Sequence, residues 1–353
     1  MYRRHKTKVV KIGRLYIGGN YPIAIQGMTK TKTKDIDKTI MQIKVLEKLG
    51  CEIVRLAIKD KADAFAIKKI KPQTELPLVA DIHFDWRLAL AAIDNGIDKI
   101  RLNPANIYKQ KEIEEIVSAL KNAKLPLRVG VNSGSVKDLN SQKLSMADKL
   151  VKSALNYIKI LEKLKFYNIV ISLKASSVLE TILAYRKIIK ICDYPLHLGM
   201  TATGLSQEGI IKSSIALGVL LLEGIGDTLR VSLTEKPEVE IKVAKGILSA
   251  LGLRSFGPEI ISCPTCGRCE VDLVKIVEDL EDKLSALDYS NKRPLKIAIM
   301  GCVVNGPGEA KEADMGVAFG KKEGLLFKVK KPTRKISKNS CVKELLKEIN
   351  RSL

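Results

Sequence analysis

The sequence predicts an α/β protein, in which a (β/α)₈ barrel of the TIM type is followed by a small α+β domain. Three observations lead to this fold class. Short β-branched runs alternate with longer segments of helical period eight times within about 250 residues, as in a (β/α)₈ barrel. No glycine-rich nucleotide fingerprint follows the first strand, which weakens the runner-up, a doubly wound sheet. The pattern changes after Ser255–Pro258, a candidate hinge, so we predict a barrel over residues 1–256 and a second domain over 257–353.

The predicted strands are short runs rich in β-branched residues, bounded by turn formers. Because each is followed by a helical segment, the sheet is expected to be parallel. The strands are Ile23–Met28, Ile53–Ile58, Leu78–His83, Lys99–Asn103, Leu127–Asn132, Ile169–Ala175, Pro195–Thr201 and Thr228–Thr234.

The predicted barrel helices are amphipathic, as Ile43 and Leu46 on one stripe of the first illustrate. They are Asp37–Leu49, Lys61–Ile70, Trp86–Asn95, Lys111–Asn122, Met146–Leu164, Ser177–Ile191, Gln207–Leu222 and Pro237–Leu251. The second domain is predicted to contain a helix over Glu270–Leu287, a strand over Leu295–Met300, a hairpin-like pair over Val317–Gly320 and Leu325–Val329, and a final helix over Cys341–Leu353.

The composition is that of a soluble globular protein, with 46% hydrophobic and 28% charged residues. The net charge of +22 favours an anionic partner, although most of the excess is lysine spread along the chain, typical of a solvated surface. No apolar run approaches the roughly 20 residues of a membrane span, and no secretory h-region follows the charged N-terminus. Seven cysteines without an export signal indicate reduced thiols or metal ligands in the cytoplasm.

Polar and apolar side chains alternate along the predicted strands, and the polar faces carry a marked excess of positive charge. Residues two apart share one face of a strand, so each cation can be assigned to a face. Asp81 is the one obvious carboxylate on these faces. A single cation there could be an ordinary interior ion pair, but several without a counter-anion would be unfavourable. We therefore predict that the barrel mouth, at the C-terminal face, binds a di- or polyanion such as a diphosphate through five cations: Arg55, Arg101, Arg128, Lys174 and Arg230.

Four of the seven cysteines occur in the second domain before its final helix. Cys263 and Cys266 have CxxC spacing, and Cys302 lies in the turn-rich segment Gly301–Ala310. This spacing favours an iron–sulfur cluster but leaves structural zinc and a redox dithiol open. In that segment Glu309 is placed to act as a harder, more exchangeable ligand.

Several stretches resemble those of the 4-hydroxy-3-methylbut-2-enyl diphosphate synthase (IspG/GcpE) family, in its compact two-domain form. The resemblance runs from about residue 20 to 320. The stretches are Pro22–Thr29, Val79–Asp85, Arg101–Pro104, Pro195–Gly199, Glu223–Ser232, Ser262–Arg268 and Gly301–Ala310.

The resemblance implies a barrel that binds 2-C-methyl-D-erythritol 2,4-cyclodiphosphate and a domain that carries a 4Fe–4S cluster. It implies a two-electron reductive ring opening with loss of water, in which flavodoxin or ferredoxin supplies electrons one at a time. It also implies a homodimer, in which the cluster domain of one chain closes over the barrel of the other. The implied cluster ligands are Cys263, Cys266, Cys302 and Glu309.

The resemblance also assigns roles to residues of the barrel. Asp81, His83 and Glu223 become candidates for proton handling, and Asn305 for supporting the cluster loop or touching substrate. The residues implied to hold the diphosphate are Arg55, Arg101, Arg128, Asn132, Lys174, Arg230 and Ser232.

Four positions depart from the usual family pattern. Cys269 stands where a non-thiol polar residue is more common, so a further sulfur could compete as a cluster ligand. Lys30 and Ala105 replace residues that are commonly Asn and Gly, and Phe319 stands where glycine is frequent. We expect these differences to adjust loops locally.

Two other functions fit parts of the sequence. One is a phosphate-binding barrel transferase of the pterin-synthase type with a structural zinc tail. The other is a nucleic-acid-binding protein with a zinc module, which requires basic clusters with interleaved aromatics. The nearest approaches, Lys163–Tyr167 and Lys328–Lys331, have the character of solvated faces. We therefore expect neither nucleic acid nor membrane as a partner.

Overall fold

The chain forms two compact units, Met1–Leu251 and Gly252–Leu353. They are seen in a computed structural model that describes residues 4–136, 144–285, 295–304, 310–329 and 331–352. The domain boundary predicted from the sequence lies between residues 256 and 257. Among the described residues, no helix is both long and apolar enough to span a bilayer.

The chain begins with an antiparallel hairpin that the sequence analysis did not predict. Its strands are Val10–Ile12 (β1) and Leu15–Ile17 (β2), and Gly13 adopts a left-handed φ of 55° in the turn. The apolar side chains of the hairpin share one buried cluster with residues at the N-terminal ends of barrel strands, namely Ala24, Ile53, Val79 and Val170. The hairpin therefore packs against the N-terminal end of the barrel interior.

Eight parallel strands follow and form a nearly closed barrel, so the fold prediction is confirmed. Neighbours in space run β8-β7-β6-β5-β4-β3-β10-β9, and a parallel bridge between Ile171 and Leu196 joins the two ends. The strands are Ala24–Met28 (β3), Ile53–Ile58 (β4), Leu78–Ile82 (β5), Lys99–Leu102 (β6), Leu127–Asn132 (β7), Ile169–Lys174 (β8), His197–Leu198 (β9) and Thr228–Leu229 (β10).

The last two barrel strands are much shorter than the sequence predicts. Regular pairing ends at Leu198 and Leu229, whereas strands were predicted to continue to Thr201 and Thr234. One further ladder bond runs from the Arg230 N–H to the Leu198 carbonyl, at 3.0 Å. Beyond it the backbone is shaped by loop contacts, such as the 2.7 Å bond from the Thr203 hydroxyl to the Ser232 carbonyl.

A helix follows each barrel strand and packs on the outside. Several begin at side-chain caps: Asp60, Ser145 and Ser177 each accept a hydrogen bond from the backbone N–H three residues later. The helices are Ile36–Lys48 (α1), Lys61–Ile70 (α2), Arg87–Asp94 (α3), Gln110–Ala123 (α4), Met146–Lys163 (α5), Val178–Ile188 (α6), Ser206–Leu222 (α7) and Pro237–Ala250 (α8).

The second unit is a five-stranded mixed sheet with two helices in its described part. The strand order follows the sequence, with parallel pairing among the first three strands and antiparallel pairing among the last three. Its last strand was not predicted. The elements are Glu259–Ser262 (β11), Leu273–Ser285 (α9), Lys296–Met300 (β12), Met315–Phe319 (β13), Gly324–Lys328 (β14), Lys331–Ile336 (β15) and Cys341–Asn350 (α10).

Candidate active site

The five cations predicted from strand parity converge inside the barrel. Arg55 lies in β4, Arg101 in β6 and Arg128 in β7, while Lys174 ends β8 and Arg230 directly follows β10. Burial lowers the pKa of Lys174 well below its ordinary value, and the four guanidinium groups lower it further. Each cation therefore lies within electrostatic reach of the others.

Asp81, in β5, is the carboxylate at the centre of this group. Its Oδ1 accepts a 2.9 Å hydrogen bond from Arg101 Nη1, and its Oδ2 lies 3.8 Å from Arg55 Nε. Burial alone would raise the pKa of Asp81, but Arg55 and Arg101 outweigh it and hold that pKa well below the ordinary value. This lowered pKa favours the ionised carboxylate, which forms ion pairs with both arginines.

His83 lies just beyond β5, and its side chain is 41% exposed. Asn106 Nδ2 lies 3.0 Å from His83 Nδ1, and an amide N–H can only donate. His83 Nε2 lies 3.3 Å from Asp81 Oδ2 and 3.2 Å from Arg101 Nη1, so an acceptor and a donor face the same ring nitrogen. The imidazole therefore lies beside the Asp81–Arg101 ion pair, at the edge of the cationic group.

The cations greatly outnumber the acids that could neutralise them. Burial lowers the pKa of Arg55 to about 9, opposed by Asp81 and reinforced by Arg230 and Arg101. Burial also lowers the pKa of Arg128, which is only 1% exposed, and Arg55 and Arg101 lower it further. Within the described chain, Arg128 Nε and Nη1 form no hydrogen bond. At an effective dielectric constant of about 20, like charges roughly 8 Å apart repel by about 2 kcal/mol, so a bound anion would relieve a considerable strain.

A deeper polar layer in the barrel includes Lys99, which was not identified from the sequence. Lys99 is completely buried, and burial lowers its pKa well below the ordinary value, with Arg128 and Arg55 adding to the effect. His197 is equally buried, its Nδ1 lies 2.8 Å from the Thr228 hydroxyl, and burial lowers its pKa. The parity argument could have found Lys99, because Lys99 and Arg101 lie two residues apart on the same strand.

Arg230 has a carboxylate partner that sequence reasoning also missed. Its Nη2 lies 3.3 Å from Oε2 of Glu240, a buried residue in the first turn of α8. Lys30, which follows β3, lies 3.1 Å from the other oxygen of the same carboxylate. Among the described residues, Asp81 and Glu240 are thus the carboxylates paired with these barrel cations.

Two glycines make room for the cations. A Cβ at Gly199 would lie 2.5 Å from Lys174 Nζ and 2.7 Å from the Arg230 carbonyl oxygen. A Cβ at Gly130 would lie 2.5 Å from Arg101 Nε, and the Gly130 carbonyl accepts a 3.0 Å hydrogen bond from Arg101 Nη2. Both positions require glycine because the chain passes directly beside a buried cationic side chain.

The remaining predicted barrel residues fall into two groups. Asn132 pairs in register with Lys174, and Ser232 lies two residues beyond Arg230, so both are near the cations along the strands. The structure separates Glu223 from them. Glu223 follows α7, before β10 begins, and its Oε2 accepts a 2.9 Å hydrogen bond from Arg186 Nε.

The cysteines of the second unit lie at one edge of its sheet. β11 and β12 are parallel neighbours, and Cys263 follows the first while Cys302 lies two residues beyond the second. The Gly301 N–H donates to Cys263 Sγ at 3.3 Å, and Cys269 Sγ would clash with a Cβ at Gly301. Cys266 is exposed, and its carbonyl accepts a 2.9 Å bond from the Cys269 N–H.

Thiol donors at this sheet edge have the chemistry that an iron–sulfur cluster requires. Parallel strand ends bring Cys263 and Cys302 to the same edge, and Gly301 lets two sulfurs approach the backbone, so the residues present fit the group. In the described ranges, no three Cys, His, Asp or Glu side chains converge as a metal site. Asn305 and Glu309, both predicted site residues, lie outside the described residues.

The other cysteines are buried or half-buried. Burial raises the pKa of the Cys51 and Cys341 thiols to about 12 and that of Cys192 to about 11. A thiol that stays protonated at neutral pH is a poor metal ligand. These three positions are therefore part of the packing.

The buried cations of the barrel suit an anionic small molecule, and the cysteines of the second unit are of the kind that hold iron–sulfur clusters; these are features of a class of metal-dependent enzymes with anionic substrates. Residues 7–245 match the GcpE TIM-barrel domain, and residues 259–351 match the GcpE protein C-terminal domain. The chain belongs to the GcpE family, as the resemblance noted in the sequence indicated. The family identity implies an iron–sulfur enzyme.

Curated relatives match over nearly the whole chain. A protein of Lawsonia intracellularis named 4-hydroxy-3-methylbut-2-en-1-yl diphosphate synthase (flavodoxin) is 52% identical over 99% of this chain and 97% of its own length. A protein of Fusobacterium nucleatum with the same name is 51% identical over 98% of both chains.

Solved structures with a similar fold include dihydropteroate synthase of Xanthomonas albilineans. The match has a TM-score of 0.51 at 11% identity and covers 70% of this chain and 99% of the other. At this identity the likeness concerns the barrel fold alone.

Proposed function

We infer that the protein catalyses the reductive ring opening of 2-C-methyl-D-erythritol 2,4-cyclodiphosphate to 4-hydroxy-3-methylbut-2-enyl diphosphate and water, in isoprenoid biosynthesis. The full-length relatives named for this activity support it, at about half identity over nearly the entire chain. The structural observation that carries it is the buried Arg128 guanidinium, which lies among other cations and has two nitrogens without a hydrogen bond to any described residue. A diphosphate supplies the oxygens and the negative charge that such a group lacks.

In this proposal the barrel cations hold the diphosphate and the polar strand ends orient the ring. Arg55, Arg101, Arg128, Lys174 and Arg230 bind phosphoryl oxygens, with Asn132 and Ser232 as neutral partners. Asp81 keeps Arg55 and Arg101 in place through its ion pairs with them, and its lowered pKa favours this ionised form. His83 is the better candidate for proton handling, since its partly exposed imidazole lies beside Asp81 and Arg101 at the edge of the group. Glu223 is engaged with Arg186 and takes no part.

For the second unit we propose a 4Fe–4S cluster held by Cys263, Cys266, Cys302 and Glu309. When bound, such a cluster supplies electrons one at a time, and the ring opening consumes two. Flavodoxin is the proposed donor, as the relatives' names indicate. We further propose that the enzyme is a cytoplasmic homodimer.

Anaerobic purification and turnover test the function. The protein is expected to contain iron and labile sulfide and to convert the cyclodiphosphate when reduced flavodoxin is supplied. Arg128→Met should raise KM for the cyclodiphosphate at least tenfold, because a charge-assisted bidentate contact is lost. A colourless zinc protein without turnover would overturn the proposal.

The cluster ligands can be tested by metal content. Cys302→Ser should lose most of its iron, whereas Cys269→Ser should retain it and serve as the matched control. Loss of iron in both variants would show that Cys269 is also a ligand.

A further inference from the structure

The carboxylate of Glu240 is contacted by three groups from two segments of the barrel, the loop after β3 and the loop after β10. The residue lies in the first turn of α8, and its side chain is only 1% exposed. Oε2 lies 3.3 Å from Arg230 Nη2, while Oε1 lies 3.1 Å from Lys30 Nζ and accepts a 3.0 Å bond from the Leu233 N–H. A negative charge in the first turn is also stabilised by the helix dipole. The carboxylate is therefore fixed in position.

Arg230 contacts this carboxylate through one nitrogen only. Its Nε, although buried, makes no hydrogen bond within the described chain. The guanidinium is planar, so fixing Nη2 also limits the directions in which its other N–H groups can point. Glu240 thus holds Arg230 by one nitrogen and leaves at least one donor for a ligand.

Lys30 joins a second loop to the same carboxylate. Its Nζ also donates to the Leu233 carbonyl at 2.9 Å and to the Glu235 carbonyl. The loop after β3 is thereby tied to the loop after β10, on which Arg230 is placed. Lys30 and Arg230 share the single negative charge of Glu240. Arg230 is therefore only partly neutralised and can still attract an anion.

We propose that Glu240 is a positioning residue that aims Arg230 at the diphosphate of the substrate, and that Lys30 supplies the balancing charge. This inference rests on the proposed function, in which Arg230 binds phosphoryl oxygens. It assigns a role to a helix residue that is not one of the five barrel cations.

The experiment measures steady-state kinetics of Glu240→Gln in the full-length, cluster-loaded enzyme. Gln keeps the shape and can still accept from the Leu233 N–H but lacks the charge that holds Arg230. We expect KM for the cyclodiphosphate to rise about tenfold while kcat changes by less than about threefold, since binding to Arg230 is lost equally in the ground and transition states. Iron content should equal that of the unmodified protein.

Glu238→Gln is the matched control. Glu238 lies in the same turn of α8 and has no hydrogen bond or ion pair with Arg230 or Lys30 in the described structure. Glu238→Gln removes one negative charge from the first turn of α8, as Glu240→Gln does. KM should nevertheless stay within about twofold of the value of the unmodified protein.

Arg230→Met separates the inference from the proposed function. If this variant leaves KM unchanged, the assigned role of Arg230 is wrong, while turnover of the cyclodiphosphate still stands as the test of function. If Arg230→Met raises KM but Glu240→Gln does not, the positioning role is overturned. The double variant should show no larger KM than Arg230→Met alone, because Glu240 acts through Arg230.

A purely structural role for Glu240 predicts a different result: a lower melting temperature and a smaller active fraction with unchanged KM, which would overturn the proposal. Should Glu240→Gln fail to fold, Lys30→Met provides the second measurement. It leaves the buried carboxylate and Arg230 in place, and we expect it to raise KM about threefold. An unchanged KM in that variant would likewise count against the proposal.

Discussion

Lys174 ends β8 among four guanidinium groups, and its amine is almost completely buried. Burial and those neighbours lower its pKa well below 10.5, so the charged form is disfavoured until an anion arrives. A bound diphosphate reverses the balance and raises the pKa again. Ligand binding and protonation of Lys174 are therefore coupled.

Diphosphate binding is accordingly expected to take up protons at pH values above the lowered pKa of the free Lys174 amine. In the free protein the amine is neutral above its lowered pKa, and binding must return a proton to it, so affinity should fall as pH rises. Titration calorimetry of inorganic diphosphate in buffers of different ionisation enthalpy measures the uptake. Lys174→Met, which cannot titrate, should take up less; equal uptake in both proteins would contradict the coupling.

At the residue level, the sequence predicted the five barrel cations because side-chain direction in a strand depends only on parity. Arg55, Arg101 and Arg128 illustrate this, since each alternates with apolar residues along its own strand. Glu240 could not be found in this way, because it lies on a helix and reaches Arg230 only through the fold. Glu223 was selected on resemblance alone, and its partner Arg186 is a helix residue 37 positions away.

At the level of elements, β9 and β10 are only two residues long, and Gly199 follows the first. There the chain runs between Lys174 Nζ and the Arg230 carbonyl, and hydrogen is the only side chain that fits. The shortness of these strands and the close approach are related, because the backbone leaves regular pairing where it passes the cations. The alternation of polar and apolar residues predicted that these strands continue to Thr201 and Thr234, because such a pattern carries no information on contacts between distant parts of the chain.

Gly199→Ala is expected to lower the free energy of unfolding by about 1–3 kcal/mol and to weaken diphosphate binding, because a backbone carbonyl cannot move aside easily. Gly218→Ala is the control. Gly218 lies in α7 with open space around it, so alanine should raise stability by up to about 1 kcal/mol. Urea denaturation of both variants gives the comparison, and an unchanged midpoint for Gly199→Ala would refute the close approach.

At the level of the whole molecule, the charge of +22 has two components. One is buried in the barrel, where we propose that it binds the substrate. The other is a lysine-rich surface, whose field would accelerate association with an acidic electron donor. Sequence composition predicted an anionic partner but could not separate the two components, since that division depends on which side chains are buried.

The rate of reduction by flavodoxin should therefore fall as salt is added, by about tenfold or more between low and high ionic strength. A reduced viologen, which is a cation, provides the control and should not be slowed. Stopped-flow measurement of both donors over a salt series tests this expectation, and a flavodoxin rate that is independent of salt would show that surface charge plays no part in docking.

The hairpin of β1 and β2 limits how a ligand can enter and leave the barrel. Val10, Ile12 and Ile17 fill the end where the strands begin, together with the first apolar residues of those strands. The barrel is thus closed at the end where its strands begin. A ligand must therefore enter and leave at the C-terminal ends of the strands, so a departing product and an arriving substrate compete for one opening.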